Sequence, residues 1–105
     1  MELSVVIPTY NQARLLEACL NSLTAQSIGY DAYEILVVDD ASTDETPDVI
    51  ARASAGPVKI RSVRFPSNRG RSAARNAGIA AASAPVIVFV DSDVEIGRAS
   101  CRERV

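Results

Sequence analysis

Apolar residues gather in short β-branched runs at Ser4 to Ile7, Ile35 to Val38 and Val86 to Val90, with a weaker run from Val58 to Phe65, each bounded by turn-forming residues. Near-continuous apolar runs of this length suit parallel strands covered on both faces. Between the first two, Leu15, Leu16, Cys19, Leu20 and Leu23 recur at helical spacing and predict an amphipathic helix from Ala13 to about Gln26. The stretch Ser42-Thr43-Asp44-Glu45-Thr46-Pro47 combines cap formers, acidic side chains and a first-turn proline, and Val49, Ile50 and Ala53 follow as a buried face. A second helix therefore starts between Thr43 and Thr46. From Arg71 to Ala82 the chain is alanine-rich with Gly78 inside, which predicts a helix pressed onto a sheet through small side chains before Pro85 marks the return to a strand.

The resulting order, β-α-β-α-β-α-β, places the chain in the α/β class. Right-handed crossovers make the sheet mostly parallel, with helices on both faces. Ligands of such sheets bind outside the carboxyl ends of the strands. At those ends stand Pro8-Thr9-Tyr10-Asn11, Asp39-Asp40-Ala41-Ser42, Asn68-Arg69-Gly70-Arg71 and Asp91-Ser92-Asp93. Singly, each has a structural explanation: Asn11 and Ser42 as helix caps, Asp39 and Asp40 at a helix N-terminus, Tyr10 as packing. Together they bring an aromatic ring, two acidic pairs and arginines to one edge, which points to a binding site.

The last of these loops carries the sharpest chemistry. Side chains two apart on an extended segment point the same way, so Asp91 and Asp93 converge while Ser92 turns aside. Two carboxylates suit a hard divalent cation, Mg2+ or Mn2+, whose shell is completed by water and substrate phosphates.

Composition narrows the field. The 105 residues make one small domain, short for an enzyme holding two substrates. With 48% hydrophobic and 23% charged residues and a net charge of -2, the chain reads as soluble and globular with no electrostatic case for nucleic acid, Arg69, Arg71 and Arg75 being only a local cluster. Cys19 and Cys101 lack the spacing of a zinc or redox site, so a reducing compartment, the cytoplasm, is expected. No signal peptide or membrane segment is evident. Histidine is absent, which leaves any acid-base work to carboxylates.

The ordered motifs Val5-Val6-Ile7-Pro8-Thr9-Tyr10-Asn11, Val37-Val38-Asp39-Asp40-Ala41-Ser42-Thr43-Asp44, Asn68-Arg69-Gly70 with Ala73-Ala74-Arg75-Asn76-Ala77-Gly78, and Asp91-Ser92-Asp93 resemble the nucleotide-sugar-binding half of a family 2 glycosyltransferase. The resemblance covers residues 2 to 95 and implies a truncated GT-A (Rossmann-like) domain over 1–95. It further implies a nucleotide-sugar donor, a UDP-sugar, with Pro8, Thr9, Tyr10 and Asp40 at the base and Arg71 on the nucleotide side. By the same resemblance Asp91 contacts the ribose, and Asp91 and Asp93, as a DXD motif, hold Mg2+ or Mn2+. Arg69 and Arg75 could instead form structural salt bridges. Ala41 stands where many relatives have glycine or asparagine. The family's catalytic base lies in a second half, so no base is assigned, Glu95 and Glu103 included, and the chain is expected to be inactive alone. The acceptor is unknown, and the full-length protein is expected in the cytoplasm or at the inner face of the membrane.

Residues 96–105 have no apolar periodicity and read as foreign or frame-shifted sequence. The run Val86 to Val90 is expected to present an unpaired apolar edge, giving marginal stability and association. A non-catalytic or nucleotidyltransferase-like nucleotide-binding module is the alternative. A signalling receiver domain fits poorly, since the third strand ends Arg64-Phe65-Pro66 and Lys59 is the only lysine. A dinucleotide or P-loop binder needs a glycine-rich loop after the first strand, where none occurs.

Overall fold

The computed structural model describes residues 2–24, 32–56 and 58–90. Four parallel strands, β1 (Leu3–Thr9), β2 (Tyr33–Asp39), β3 (Lys59–Arg64) and β4 (Val86–Phe89), lie in the order β3-β2-β1-β4 and alternate with α1 (Ala13–Thr24), α2 (Thr46–Ser54) and α3 (Arg71–Ala81). The first two crossovers step away from β1 and the third returns past it. Right-handed connections then require α1 and α2 on one face and α3 on the other.

The core follows this division. Val5, Ile7, Ile35, Val37, Val88 and Val90 point to one face and pack with Leu16, Cys19, Leu20 and Leu23 of α1 and Val49 and Ile50 of α2. Val6, Leu36 and Val38 point to the other, where they meet Phe65 and Ala74. The buried stripe of α1 is Ala13, Leu16, Cys19, Leu20 and Leu23, whereas Leu15, expected on it, is 44% exposed. A helix turns about 100° per residue, so Leu15 and Leu16 cannot both face the sheet squarely. The small residues of α3 act as expected: Gly78 lies so close to β1 that a Cβ would run into the Val6 side chain.

Buried polar groups collect at the two ends of the sheet. At the amino end the Glu34 carboxylate, with no exposed surface, accepts from Ser4 Oγ at 2.7 Å, from the Ser83 N–H at 2.9 Å and from Arg61 Nε at 3.0 Å. Arg61 also donates to the Ala81 carbonyl at 2.7 Å, and Ser4 Oγ accepts the Ala84 N–H at 3.1 Å. The network ties all three longer strands to the turn that launches β4. Burial alone would raise the Glu34 pKa, but the bonds from Arg61, Ser4 and Ser83 outweigh it and hold the pKa at about 2.

At the carboxyl end Pro8 is decisive. The Val90 N–H donates to the Val6 carbonyl at 3.0 Å, so even-numbered residues of β1 face β4. The next donor along that ladder would be the N–H of residue 8, which proline lacks. Among the described residues the β1–β4 pairing runs as far as Val6 and Phe89, while β1 stays paired with β2 through Thr9 and Asp39. The sheet thus opens beside β1, the strand at which its order reverses.

Candidate functional site

A cleft of about 350 Å³ lies at this opening, on the α3 side of the sheet edge. Pro8, Thr9 and Tyr10 line it from the end of β1, Asp40 from the loop after β2, and Gly70, Arg71 and Ala74 from the start of α3, with Gln12 and Asn68 completing the wall. Thr9 is buried, while Tyr10 is 44% exposed. The five expected nucleotide-side residues within the described segments, Pro8, Thr9, Tyr10, Asp40 and Arg71, all lie on this cleft.

Asp40 joins the sheet to α3. Its N–H donates to the Thr9 carbonyl at 2.9 Å, and its side-chain oxygens accept the Arg69 N–H at 2.7 Å and the Gly70 N–H at 2.9 Å. It therefore serves the start of α3 rather than the helix that follows it in sequence. Gly70 has φ +93°, a conformation that glycine adopts without steric cost. The Arg71 side chain is exposed and forms no hydrogen bond or ion pair among the described residues.

Asp39 is buried and holds the turn itself. One oxygen accepts the Ser42 N–H at 2.9 Å and the other accepts from Arg64 at 2.6 Å. Within this turn Ala41 adopts φ +65°, a left-handed conformation that costs an L-residue roughly 1–2 kcal/mol. Glycine or asparagine is better suited to that position.

Asn11 and Ser42 do not cap their own helices. The Asn11 N–H donates to Ser42 Oγ at 2.9 Å and its Oδ1 accepts the Thr43 N–H at 2.7 Å, so the two residues bind one loop to the other. Asp44 serves both helix starts, accepting the Ala13 N–H at 3.2 Å and the Thr46 N–H at 3.0 Å. Burial would raise its pKa, yet the Thr46 and Ala13 bonds prevail and lower it. The guanidinium groups of Arg69 and Arg75 lie over aromatic rings, 5.1 Å from the Phe65 centroid and 6.0 Å from that of Phe89.

Asp91 and Asp93 lie outside the described residues, which end on this edge at Val90. Among the described residues lining the cleft Asp40 is the only carboxylate, and both of its oxygens accept backbone amides. Among the described residues no cluster of three or more metal-ligating side chains occurs, and no helix is long and apolar enough to cross a membrane.

Sequence reasoning placed Asp44 at the start of the second helix but not its bond to the first, and it missed Arg64 and the Glu34–Arg61 pair as organising residues and Gln12 as a lining residue. Only Glu34 left a signal, as a charge inside an otherwise apolar run.

The family model for glycosyl transferase family 2 matches residues 4–103. An uncharacterized glycosyltransferase of Nostoc sp. is 44% identical over 94 residues, covering 89% of this chain and 28% of that protein. The validoxylamine A glucosyltransferase of Streptomyces hygroscopicus subsp. jinggangensis is 43% identical over 97 residues, covering 90% of this chain and 22% of its own. Among solved structures, S. aureus TarS in complex with UDP-GlcNAc superposes with a TM-score of 0.84 at 33% identity, covering 89% of this chain and 27% of that one. The mannosyltransferase of Pyrobaculum calidifontis in complex with GDP-Man and Mn2+ gives 0.83 at 33% identity, over 89% of this chain and 28% of that one. The chain thus spans under a third of the length of each of these relatives.

Proposed function

The chain belongs to glycosyl transferase family 2, and from that premise we propose that its cleft receives the nucleoside diphosphate of a UDP-sugar whose sugar is passed to an acceptor. The observation that carries this reading is the convergence of Pro8, Thr9, Tyr10, Asp40 and Arg71, from three separate segments, on one cleft at the carboxyl edge of the sheet. Tyr10 offers a ring face to a base. Each Asp40 oxygen, although bonded to one amide, keeps a second lone pair for a ring N–H of uracil. Arg71 supplies a cation on the nucleotide side. The UDP-GlcNAc complex of one solved relative supports this reading, and the GDP-Man complex of the other supports a nucleotide-sugar donor in general.

Asp91 and Asp93 are the hard oxygen donors in this chain that suit Mg2+ or Mn2+, with Asp91 also toward the ribose. A metal there would neutralise charge on the departing diphosphate. No residue is assigned as the base for the acceptor hydroxyl, and the chain by itself binds donor without transferring sugar. We place its action in the cytoplasm.

Calorimetric titration with UDP, with and without Mn2+, tests the reading. Tighter binding with Mn2+, lost in Asp91→Asn/Asp93→Asn and weakened in Asp40→Asn, is the expected result. Absence of UDP binding by the folded wild-type chain overturns it. Product analysis with a radiolabelled UDP-sugar and the full-length protein separates sugar transfer from a non-catalytic or nucleotidyltransferase-like module.

A further inference from the structure

We propose that Arg64, at the end of β3 and outside the cleft lining, is a positioning residue for Asp40, holding the strained turn that aims its carboxylate. The inference rests on the reading of Asp40 as a nucleotide-binding group. Arg64 spans the turn with two donors, one to Asp39 Oδ2 at 2.6 Å and the other to the Ser42 carbonyl at 2.8 Å. Asp39 Oδ1 closes the loop by accepting the Ser42 N–H at 2.9 Å. Ser42 is thereby held at both its N–H and its carbonyl, and only Asp40 and Ala41 lie between the anchors.

Ala41 makes the clamp necessary. At φ +65° it occupies a conformation that alanine leaves when released. Relaxation of residue 41 would rotate the adjoining peptide and with it the Asp40 carboxylate, withdrawing it from the Arg69 and Gly70 amides and from the cleft. The Arg64 side chain is half exposed, whereas that of Asp39 is 2% exposed. Loss of Arg64 also leaves the buried Asp39 carboxylate without its cation, so a stability cost accompanies the local effect and is measured separately.

The test is a cycle of Arg64→Gln, Ala41→Gly and the double variant in the 105-residue chain, read by UDP titration with Mn2+ below the melting temperature, with thermal melts alongside. Arg64→Gln is expected to weaken UDP binding about tenfold. Ala41→Gly in that background restores most of the affinity, because glycine holds the turn without the clamp. A loss caused only by unfolding vanishes when each variant is titrated well below its own melting temperature, whereas a loss of positioning persists there until Ala41→Gly is added. If Arg64→Gln folds poorly, Arg64→Lys keeps a charge beside Asp39 but loses the fork to Ser42, and gives the same pattern at smaller size. Wild-type affinity in the Arg64 variants, or a loss that Ala41→Gly leaves untouched, overturns the positioning role alone. No UDP binding by the wild-type chain overturns the nucleotide reading and this inference with it.

Discussion

Glu34 on β2 and Arg61 on β3 form a two-pronged ion pair at the amino end of the sheet, with Nε 3.0 Å from one carboxylate oxygen and a terminal nitrogen 3.2 Å from the other. The carboxylate has no exposed surface and the arginine side chain is 37% exposed. This pair, with Ser4 and the Ser83 N–H, fixes the entry into β4 independently of the cleft at the opposite end.

The pair predicts an acid limit to stability. The folded-state pKa of Glu34, about 2, is depressed from the ordinary 4.5, so its stabilisation is complete above 4.5 and is lost as pH falls through that interval. At 1.36 kcal/mol per unit the full effect is on the order of 3 kcal/mol. Asp44, also lowered, acts with the same sign. Urea unfolding across acidic pH should show the decline, and Glu34→Gln should flatten it; an unchanged slope in the variant would refute the assignment.

Removing the cation alone should be worse than removing the carboxylate. Arg61→Met leaves a buried charge without its partner, which costs about 3–5 kcal/mol. Comparison of its midpoint with that of Glu34→Gln checks the order, and equal losses would show that Ser4 and Ser83 suffice to hold the carboxylate.

Ala41→Gly should stabilise the chain. It removes a left-handed alanine at φ +65°, and the gain, reduced by the greater freedom of glycine in the unfolded state, is about 1 kcal/mol. For a domain of this size that raises Tm by roughly 4–8 °C. A lower Tm by calorimetry would mean that the turn is not strained.

Gly78→Ala should destabilise despite the better helix propensity of alanine, worth about 1 kcal/mol. The added methyl meets the fully buried Val6 side chain in a central strand, and overpacking of this kind costs roughly 1–3 kcal/mol. Adding Val6→Ala should recover part of the Gly78→Ala loss, measured by thermal melts. Strictly additive effects would show that α3 does not rest on β1 through this contact.

Much of the architecture was legible because it is written in local patterns. The runs around Val5, Leu36 and Val88 became parallel strands, and α3 begins at Arg71 as its alanine-rich stretch predicts. Leu15 was misplaced because a five-residue apolar set is too broad for one stripe, and which part turns inward depends on how the helix docks on the sheet. For Asn11 and Ser42 taken singly, sequence offers helix capping as the structural explanation, because a cap is the nearest use for such a side chain. Their actual partners are each other's loops, 31 or 32 residues away.

The sequence by itself determined the elements, their alternation and the segments that meet at the carboxyl edge, since periodicity, turn chemistry and crossover handedness act over short distances or by general rule. Only the tertiary structure decided which donors each carboxylate serves. Asp39 turned to Arg64 and Ser42, Asp40 to the start of α3, Asp44 to two helices and Glu34 to Arg61. A carboxylate removed from water takes whatever donors the packed chain brings within about 3 Å, and that choice is made by strand order and register, which no local pattern contains.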